Sequence, residues 1–338
     1  MTASERECAG VGVVVIGRNE GERLLRSLRS VRSVCDHVVY VDSGSTDGSV
    51  ERARSLGAVV VELDPRTPFT AARARNEGFE RLVAHAPQLD LVQVVDGDCE
   101  LADGWLAAAT ATLRLRPELA AVCGRRRERF PEASPWNQLA DVEWDGPAGE
   151  VDSFGGDALI RVRAWRSAGG YDPTLIAGED PEFSWRIRQQ GGRILRLDRE
   201  MTLHDAALLR FSQWWRRQTR SGHAFAETVW RHRAAPDPRR SRRLVAMGFW
   251  AAAWPLACVA VAAVTNGAGL AGLAAYAWPW LGGYRAARAR WPRRIAALWA
   301  SSCVLVKAAE FQGALTFAWN HGLRRRATAL IEYKGPGS

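Results

Sequence analysis

No feature of this chain narrows its fold more than the alternation that runs from residue 11 to residue 115. Four near-continuous apolar runs of strand length, VGVVVI (11–16), HVVYV (37–41), AVVVEL (58–63) and LVQVV (91–95), are separated by stretches at 21–31, 48–57 and 69–86 whose apolar residues recur at helical spacing. Runs without polar alternation suit parallel strands covered on both faces. A β-α-β-α series of this kind predicts an α/β fold with a mostly parallel, doubly wound sheet and right-handed crossovers. With 338 residues, the chain is longer than one core usually fills, about 250–300 residues, so an appendage is expected.

In an open sheet of this class, ligands lie beyond the carboxyl ends of the strands. Those ends carry the least ordinary residues: GRNEGE (17–22), DSGSTDGS (42–49) and DGDCE (96–100). Asp96 and Asp98 are alternate residues of an extended segment, so their carboxylates can converge on one cation, and carboxylate oxygens suit Mg2+ or Mn2+ shared with substrate phosphates. A strand-end turn in which Asp98 or Asp103 only caps the next helix is equally compatible with this short motif. Asp42 can accept a hydrogen bond from a nucleobase, while Ser45 or Asp47 can cap the following helix.

Beyond residue 125 the pattern is mixed and punctuated by glycine and proline. Further strands are predicted at VDSF (151–154) and RILRLD (193–198), with a helix over 181–190. Asp180 before Pro181 is an ideal helix start by itself, an N-cap followed by proline at N1. After the basic segment RAAPDPRRSRR (233–243), residues 244–264 contain no charge, and a second uncharged stretch covers 268–284. A spanning helix needs about 20 apolar residues, so the first qualifies and the second is marginal. Arginine flanks both outer ends, which fits a hairpin with both ends in the cytoplasm; a buried hairpin or a dimer contact would read similarly. A third stretch, 295–319, holds Lys307 and Glu310 and suits the membrane interface or packing on the protein.

The net charge of +9 is almost wholly arginine, which suits anionic partners such as a nucleotide, a lipid phosphate or a membrane face. Six cysteines without a CxxC pair fit a reducing compartment, and the first ten residues, MTASERECAG, lack the apolar core of a secretory signal.

Five segments in order, VVVIGRNE, VDSGSTDGS, AARARNEG, VVDGD and FGGDALIRVRAWRSAGGYDPTLIAGEDPEFSWRIRQQGG, resemble the GT-A-fold glycosyltransferases of family 2 over about residues 11–220. The resemblance implies a metal-dependent inverting transferase of a nucleoside diphosphate sugar. It implies that Arg18, Asn19 and Glu20 line the nucleotide, that Asp42 binds the donor base, and that Arg73 or Arg75 meets the diphosphate. It implies that Asp96 and Asp98 hold Mg2+ or Mn2+, and that Gly155, Gly156 and Asp157 line the sugar and acceptor. Asp180 matches the general base, with Glu179 in reserve, and His204 matches a histidine near the metal or pyrophosphate. Arg216, Arg217 and Arg220 either meet a lipid phosphate or face solvent, with Trp214 and Trp215 as core anchors.

The expected organisation is a catalytic domain over 1–232, a linker over 233–243 and a hydrophobic helical hairpin with an interfacial helix over 244–338. The expected location is the cytoplasmic side of the cell membrane, and the acceptor is a saccharide, lipid-linked where the membrane reading holds, in cell-envelope polysaccharide or glycolipid synthesis. Nucleic acid is not an expected partner. The alternative is a membrane-associated nucleotide-sugar-binding or assembly protein without turnover. Nucleotidyltransferases and dinucleotide-dependent oxidoreductases are disfavoured because no glycine-rich phosphate loop follows the first strand.

Overall fold

The structure is a computed structural model that describes residues 9–234 and 238–324. Met1–Cys8, three residues of the basic linker and residues 325–338 of the C-terminal region therefore lie outside the described residues.

The described chain clusters into two compact units. The first joins the residues up to Phe130 to Glu143–Ala206, and the second joins Pro131–Val142 to the residues from Ala207 onward. The first unit is built on one sheet whose strands lie in the order Val59–Glu62, Val38–Asp42, Val11–Gly17, Leu91–Asp96, Ala158–Arg161, Leu119–Glu128, Arg193–His204 and Cys99–Leu101, and the short Gly149–Glu150 pairs with Arg193–His204. Strands β1 (Val11–Gly17), β2 (Val38–Asp42), β3 (Val59–Glu62) and β4 (Leu91–Asp96) are parallel and connected by helices α1 (Glu22–Arg32), α2 (Ser49–Ser55) and α3 (Ala71–His85). All seven residues of β1 except Gly17 are buried, as are all five of β2, which explains why these strands read as uninterrupted apolar runs.

The second half of the sheet is mixed. Strands β5 (Cys99–Leu101), β6 (Leu119–Glu128), β7 (Gly149–Glu150), β8 (Ala158–Arg161) and β9 (Arg193–His204) follow, with α4 (Trp105–Leu115) between β5 and β6. Here β8 runs antiparallel to both β4 and β6, while β6 and β9 are parallel. The expected strand at 151–154 does not form, and the pairing falls on Ala158–Arg161 instead. The physical reason is burial: Ala158, Leu159 and Ile160 are fully buried between β4 and β6, whereas only Phe154 of VDSF is enclosed. The strand expected at 193–198 extends to His204, twelve residues in all. The helix expected from 181 is α7 (Glu179–Gln189), preceded by α5 (Pro135–Trp144) and α6 (Val162–Ala168).

The second unit is helical. Helix α8 (Phe211–Arg231) packs along α12 (Arg293–Trp319), and between them in the chain come α9 (Pro238–Gly248), α10 (Trp254–Val264) and α11 (Ala277–Arg288). A π-helical segment, Phe249–Ala253, joins α9 to α10, and the run Arg240–Val264 is long and apolar enough to cross a membrane, with a mean hydropathy of 1.9 and 11% of its apolar window buried. The second apolar stretch begins as a 3-10 segment, Ala268–Tyr276, rather than as one helix with α11. Trp214 is buried, Trp215 donates its indole N–H to Gln312 Oε1 at 2.7 Å, and Arg216 is exposed.

The α8–α12 crossing depends on two glycines. A Cβ on Gly222 would lie 2.0 Å from the Glu310 carbonyl oxygen, and one on Gly313 would lie 1.9 Å from that of Thr219, so the helices touch backbone to backbone. Gly313→Val should therefore push the helices apart and cost about 1–3 kcal/mol. The check is thermal unfolding of the full chain, with Gly282→Ala, where a Cβ meets nothing within 4 Å, as a variant that should leave the midpoint almost unchanged.

Candidate active site

Parallel pairing brings the expected residues to one edge. Gly17 is in register with Asp42, and Ile16 with Asp96, so the loops after β1, β2 and β4 leave the sheet side by side. The first two loops are knitted together: the Asn19 amide donates to Ser45 Oγ at 2.9 Å, Thr46 N donates to Asn19 Oδ1 at 2.8 Å, and Gly21 N donates to Asp47 Oδ2 at 2.9 Å. Asn19 holds the left-handed conformation, φ 55°, that this exchange requires. Glu20 pairs with Arg23 at 3.0 Å, and the Arg18 guanidinium lies over the exposed side of the same region, 5.7 Å from the Phe69 ring centroid.

Asp42 organises the second loop. Its Oδ1 accepts from Tyr40 Oη at 2.8 Å, and its Oδ2 accepts from Gly44 N at 2.9 Å and Ser45 N at 2.7 Å, with the side chain nearly fully enclosed. A base N–H would have to share Oδ1 with the tyrosine hydroxyl.

Deeper in, one guanidinium joins three carboxylates. Arg75 on α3 donates from Nη2 to Asp96 Oδ1 at 2.8 Å and from Nη1 to Glu179 Oε1 at 2.8 Å, and Nη1 is also 3.5 Å from Asp180 Oδ1. The Arg75 side chain is only 3% exposed, against 25% for Asp96, so the carboxylate is the more accessible partner. Arg73 goes elsewhere: it pairs with Glu77 at 2.7 Å and donates to the carbonyls of Asp64 and Thr67. A sequence signal does separate the two. Arg75 precedes Gly78, Phe79 and Leu82 by three, four and seven residues, which puts it on the stripe of α3 that faces the sheet.

A second arginine, Arg126 on β6, was not singled out in the sequence. Its Nη2 is 3.0 Å from Asp96 Oδ2 and 2.8 Å from Asp157 Oδ2, and Nε donates to the same Asp157 oxygen at 3.0 Å. Asp157 is wholly buried; it also accepts from the Asp96 amide at 3.0 Å and from Thr202 Oγ1 at 2.6 Å. Gly156 lets the backbone lie against this network, since a Cβ there would be 2.5 Å from Asp96 Oδ2 and 2.8 Å from Arg126 Nη2, whereas Gly155 meets nothing within 4 Å.

Asp98 and His204 form the third element. The β5–β9 pairing sets Cys99 opposite His204 and leaves His204 Nε2 3.3 Å from Asp98 Oδ2. Two donors bound to one octahedral Mg2+ or Mn2+ at 2.0–2.1 Å in adjacent positions are about 3 Å apart, so this separation fits a shared ion. Ligand atoms of Asp98, Cys99 and His204 lie within 4.8 Å of one another, as do those of Asp96, Cys99 and Asp157. Burial pushes the Cys99 thiol well above its usual range, so it stays protonated and is no ligand for a hard cation. That leaves Asp98 with His204 in one group and Asp96 with Asp157 in the other as donors suited to a hard cation, and both Asp96 oxygens already accept from guanidiniums.

The electrostatics separate the carboxylates by role. Enclosure raises the Asp96 carboxyl, but Arg75 and Arg126 more than reverse this and hold it below the usual range. At Asp180 burial dominates, Glu179 and Asp96 add repulsion, and Arg75 only partly compensates, so its pKa is pushed up to about 7. Asp180 accepts from Tyr171 Oη at 3.3 Å, and burial together with Asp180 raises that phenol well above its normal range. Gly178, not Asp180, is the N-cap of α7, and the helix begins at Glu179. The expected N-cap role for Asp180 is thus corrected: the left-handed Gly178 ends the loop, and Asp180 is turned toward Arg75 and Tyr171. For His204, Asp98 and Glu128 outweigh burial and raise the imidazole above its usual value.

A carboxyl with a raised pKa opposes folding at high pH. The opposition is absent below about 4, sets in as pH rises and is complete above about 7, because only the unfolded state ionises freely in that window. Asp180→Asn should therefore be about 1–2 kcal/mol more stable than the parent at pH 8 and closer to it at pH 5, measured by urea unfolding at the two pH values.

Comparison with known proteins gives the same picture. Residues 12–166 match the family described as glycosyl transferase family 2. The succinoglycan biosynthesis protein ExoA of Rhizobium meliloti (strain 1021) is 26% identical over 282 residues, covering 79% of this chain and 82% of that protein. The pre-mycofactocin glycosyltransferase of Mycobacterium tuberculosis (strain ATCC 25618 / H37Rv) is 28% identical over 293 residues, covering 82% of this chain and 57% of that protein. Among solved structures, the mannosyltransferase PcManGT from Pyrobaculum calidifontis, in complex with GDP-Man and Mn2+, superposes with a TM-score of 0.57 at 20% identity, covering 92% of this chain and 87% of that one. The sheet and its flanking helices have the GT-A arrangement, and over residues 12–166 the chain is similar to glycosyl transferase family 2.

Proposed function

We propose that the chain transfers a sugar from a nucleoside diphosphate sugar to an acceptor hydroxyl with inversion at the anomeric carbon. The observation that carries this reading is the Arg75 junction, which brings the end of β4 and the start of α7 together and leaves Asp180, with its pKa near 7, beside Asp96. A carboxyl poised near neutrality accepts a proton more readily than an ordinary aspartate and is ionised often enough to do so.

Asp180 takes the acceptor hydroxyl's proton on Oδ as that oxygen bonds to the anomeric carbon. The bond from that carbon to the donor diphosphate breaks on the opposite face, and its electron pair leaves with the diphosphate. Tyr171 Oη and Arg75 hold the Asp180 carboxylate in place, with Glu179 held by the same guanidinium. Arg126, inside hydrogen-bond reach of Asp96, sets a second positive charge beside the leaving group. Asp96, Asp98 and His204 would hold Mg2+ or Mn2+, which would supply Lewis-acid neutralisation of the diphosphate. The GDP-Man and Mn2+ of the archaeal mannosyltransferase support this assignment of donor class and ion. Asn19 ties the first two loops together and Asp42 folds the second, which shapes the pocket for the nucleotide, with Arg18 and Glu20 on its rim.

The Arg240–Val264 run, long and apolar enough to cross a membrane, supports membrane association, and in this reading the catalytic residues work on the cytoplasmic side with a lipid-linked saccharide as acceptor. Likeness to a succinoglycan biosynthesis protein supports polysaccharide or glycolipid synthesis as the product class.

Release of nucleoside diphosphate from a panel of donor sugars with Mn2+, with and without lipid-linked acceptors, tests the reading. Turnover is expected for the parent, and Asp180→Asn should lower it about 10²–10⁴-fold while a thermal shift by the donor persists. The parent's kcat/KM should fall as pH drops below about 7, a limb that Asp180→Asn loses. Donor binding without turnover across the whole panel would refute catalysis and leave a binding protein.

A further inference from the structure

Glu128, the last residue of β6, is one of the least exposed charged groups in the first unit, and neither donor nor acceptor chemistry explains it directly. Its side chain is 0% exposed. Two backbone amides aim at it: Phe130 N donates to Oε1 at 3.1 Å and Ala206 N donates to Oε2 at 3.1 Å. The sheet explains the placement, because the β6–β9 register puts Glu128 opposite His204 while β5–β9 puts Cys99 opposite the same histidine.

His204 therefore has a carboxylate on each side. Nε2 is 3.3 Å from Asp98 Oδ2, and Nδ1 is 3.6 Å from Glu128 Oε2. The second distance is beyond a good hydrogen bond, and Nδ1 is a buried nitrogen without a hydrogen-bond partner. A small rotation of the ring toward Glu128 would close that gap and turn Nε2 with it. The ring cannot rotate freely, since Trp144 meets it edge to face at 4.8 Å and 83°, and Arg126 backs that indole at 5.6 Å.

We infer that Glu128 is a positioning residue that keeps the proton of His204 on Nδ1, so that the Nε2 lone pair faces the ion shared with Asp98. This rests on the metal-centre part of the proposed function. Histidines that bind metal commonly donate their second ring N–H to a carboxylate, and loss of that partner typically costs 10–100-fold in metal affinity. Glu128 supplies the carboxylate from a strand that carries no residue of the acidic motif. A carboxylate whose only task was to cap the 129–130 and 205–206 turns would need the two amides but not the imidazole.

The test is Mn2+ binding by the full-length protein, followed by the electron paramagnetic resonance of free Mn2+, for the parent, Glu128→Gln, His204→Ala and the double variant, with the tautomer of His204 read by 15N NMR of the metal-free protein at a pH where the ring is neutral. Expected results are a 10–100-fold weaker Mn2+ affinity in Glu128→Gln, no further loss when that change is added to His204→Ala, and an Nδ1–H tautomer in the parent that becomes mixed in Glu128→Gln. Because a Gln side chain offers one oxygen to the two amides that Glu128 serves, the metal-free thermal midpoint should fall in Glu128→Gln, and Mn2+ affinity is compared at a temperature well below both midpoints. Equal Mn2+ affinity in Glu128→Gln and parent, or losses that simply add in the double variant, overturns the role of Glu128. A parent that binds no Mn2+ overturns instead the metal-centre reading itself, and an Nδ1–H tautomer unchanged in Glu128→Gln overturns the tautomer control.

Discussion

The Arg75 guanidinium is the constraint on which the rest of the site depends. It is buried and serves Asp96, Glu179 and Asp180 at once. A buried charge of that kind persists only when its donors are matched, because the desolvation of an unmatched ion in a protein interior is several kcal/mol. The three acids are under the same restriction. Asp96 stands at the end of β4 and Glu179 at the start of α7, more than eighty residues apart, and mutual neutralisation with one arginine fixes the spacing between these elements. The sheet brings the strand ends together, and Arg75 closes the other side of the cleft.

That arrangement divides the carboxylates without any difference in residue type. Asp96 has a guanidinium on each oxygen and is held ionised. Asp180 touches Arg75 only at 3.5 Å, has a phenol as its nearest hydrogen-bond donor and rises to about 7. One acid suited to bear negative charge toward a cation and one suited to exchange a proton thus share a single arginine. The same pattern explains why an aspartate at the first turn of a helix, where the macrodipole would favour its charged form, can still be a base: burial and the neighbouring acids exceed the helix end in effect.

Much of this was legible in the sequence, and the parts that were not share a cause. Strands β1, β2 and β4 could be read because each is buried on both faces and so carries no polar alternation, whereas β3, at the sheet edge, is only half-buried yet has the same apolar run. Asp96 and Asp98 stood out because they end such a run. Arg126, Glu128, Tyr171 and Thr202 did not. Arg126 and Glu128 lie in RRRE, which reads as a solvated charge run, yet β6 is a strand whose alternate residues turn to opposite faces: Arg126 and Glu128 are enclosed while Arg125 and Arg127 are more exposed. Tyr171 follows two glycines in a segment that looks like a loop. Pairing across antiparallel and parallel neighbours in the second half of the sheet is non-local, so no short window could reveal which of these side chains would meet Asp96 or His204. Asp157 illustrates the limit in reverse: the motif was legible, but its carboxylate proves to be buried between Arg126, Thr202 and the Asp96 amide.

The glycine pattern carries the same lesson into the second unit. Gly156 is small because the Asp96 carboxylate and two guanidiniums occupy the volume its Cβ would take. Gly222 and Gly313 are small because two helix backbones touch there. In a helix pair whose surroundings are apolar, burial of side chains contributes little to association, and close backbone packing with a few polar contacts becomes the main attraction. The α8–α12 pair has both features, with the Trp215–Gln312 hydrogen bond across it, and the Arg243–Glu310 ion pair at 2.7 Å ties α9 to α12. A helical unit held in this way retains its packing whether the exposed apolar residues of Arg240–Val264 face lipid or another protein.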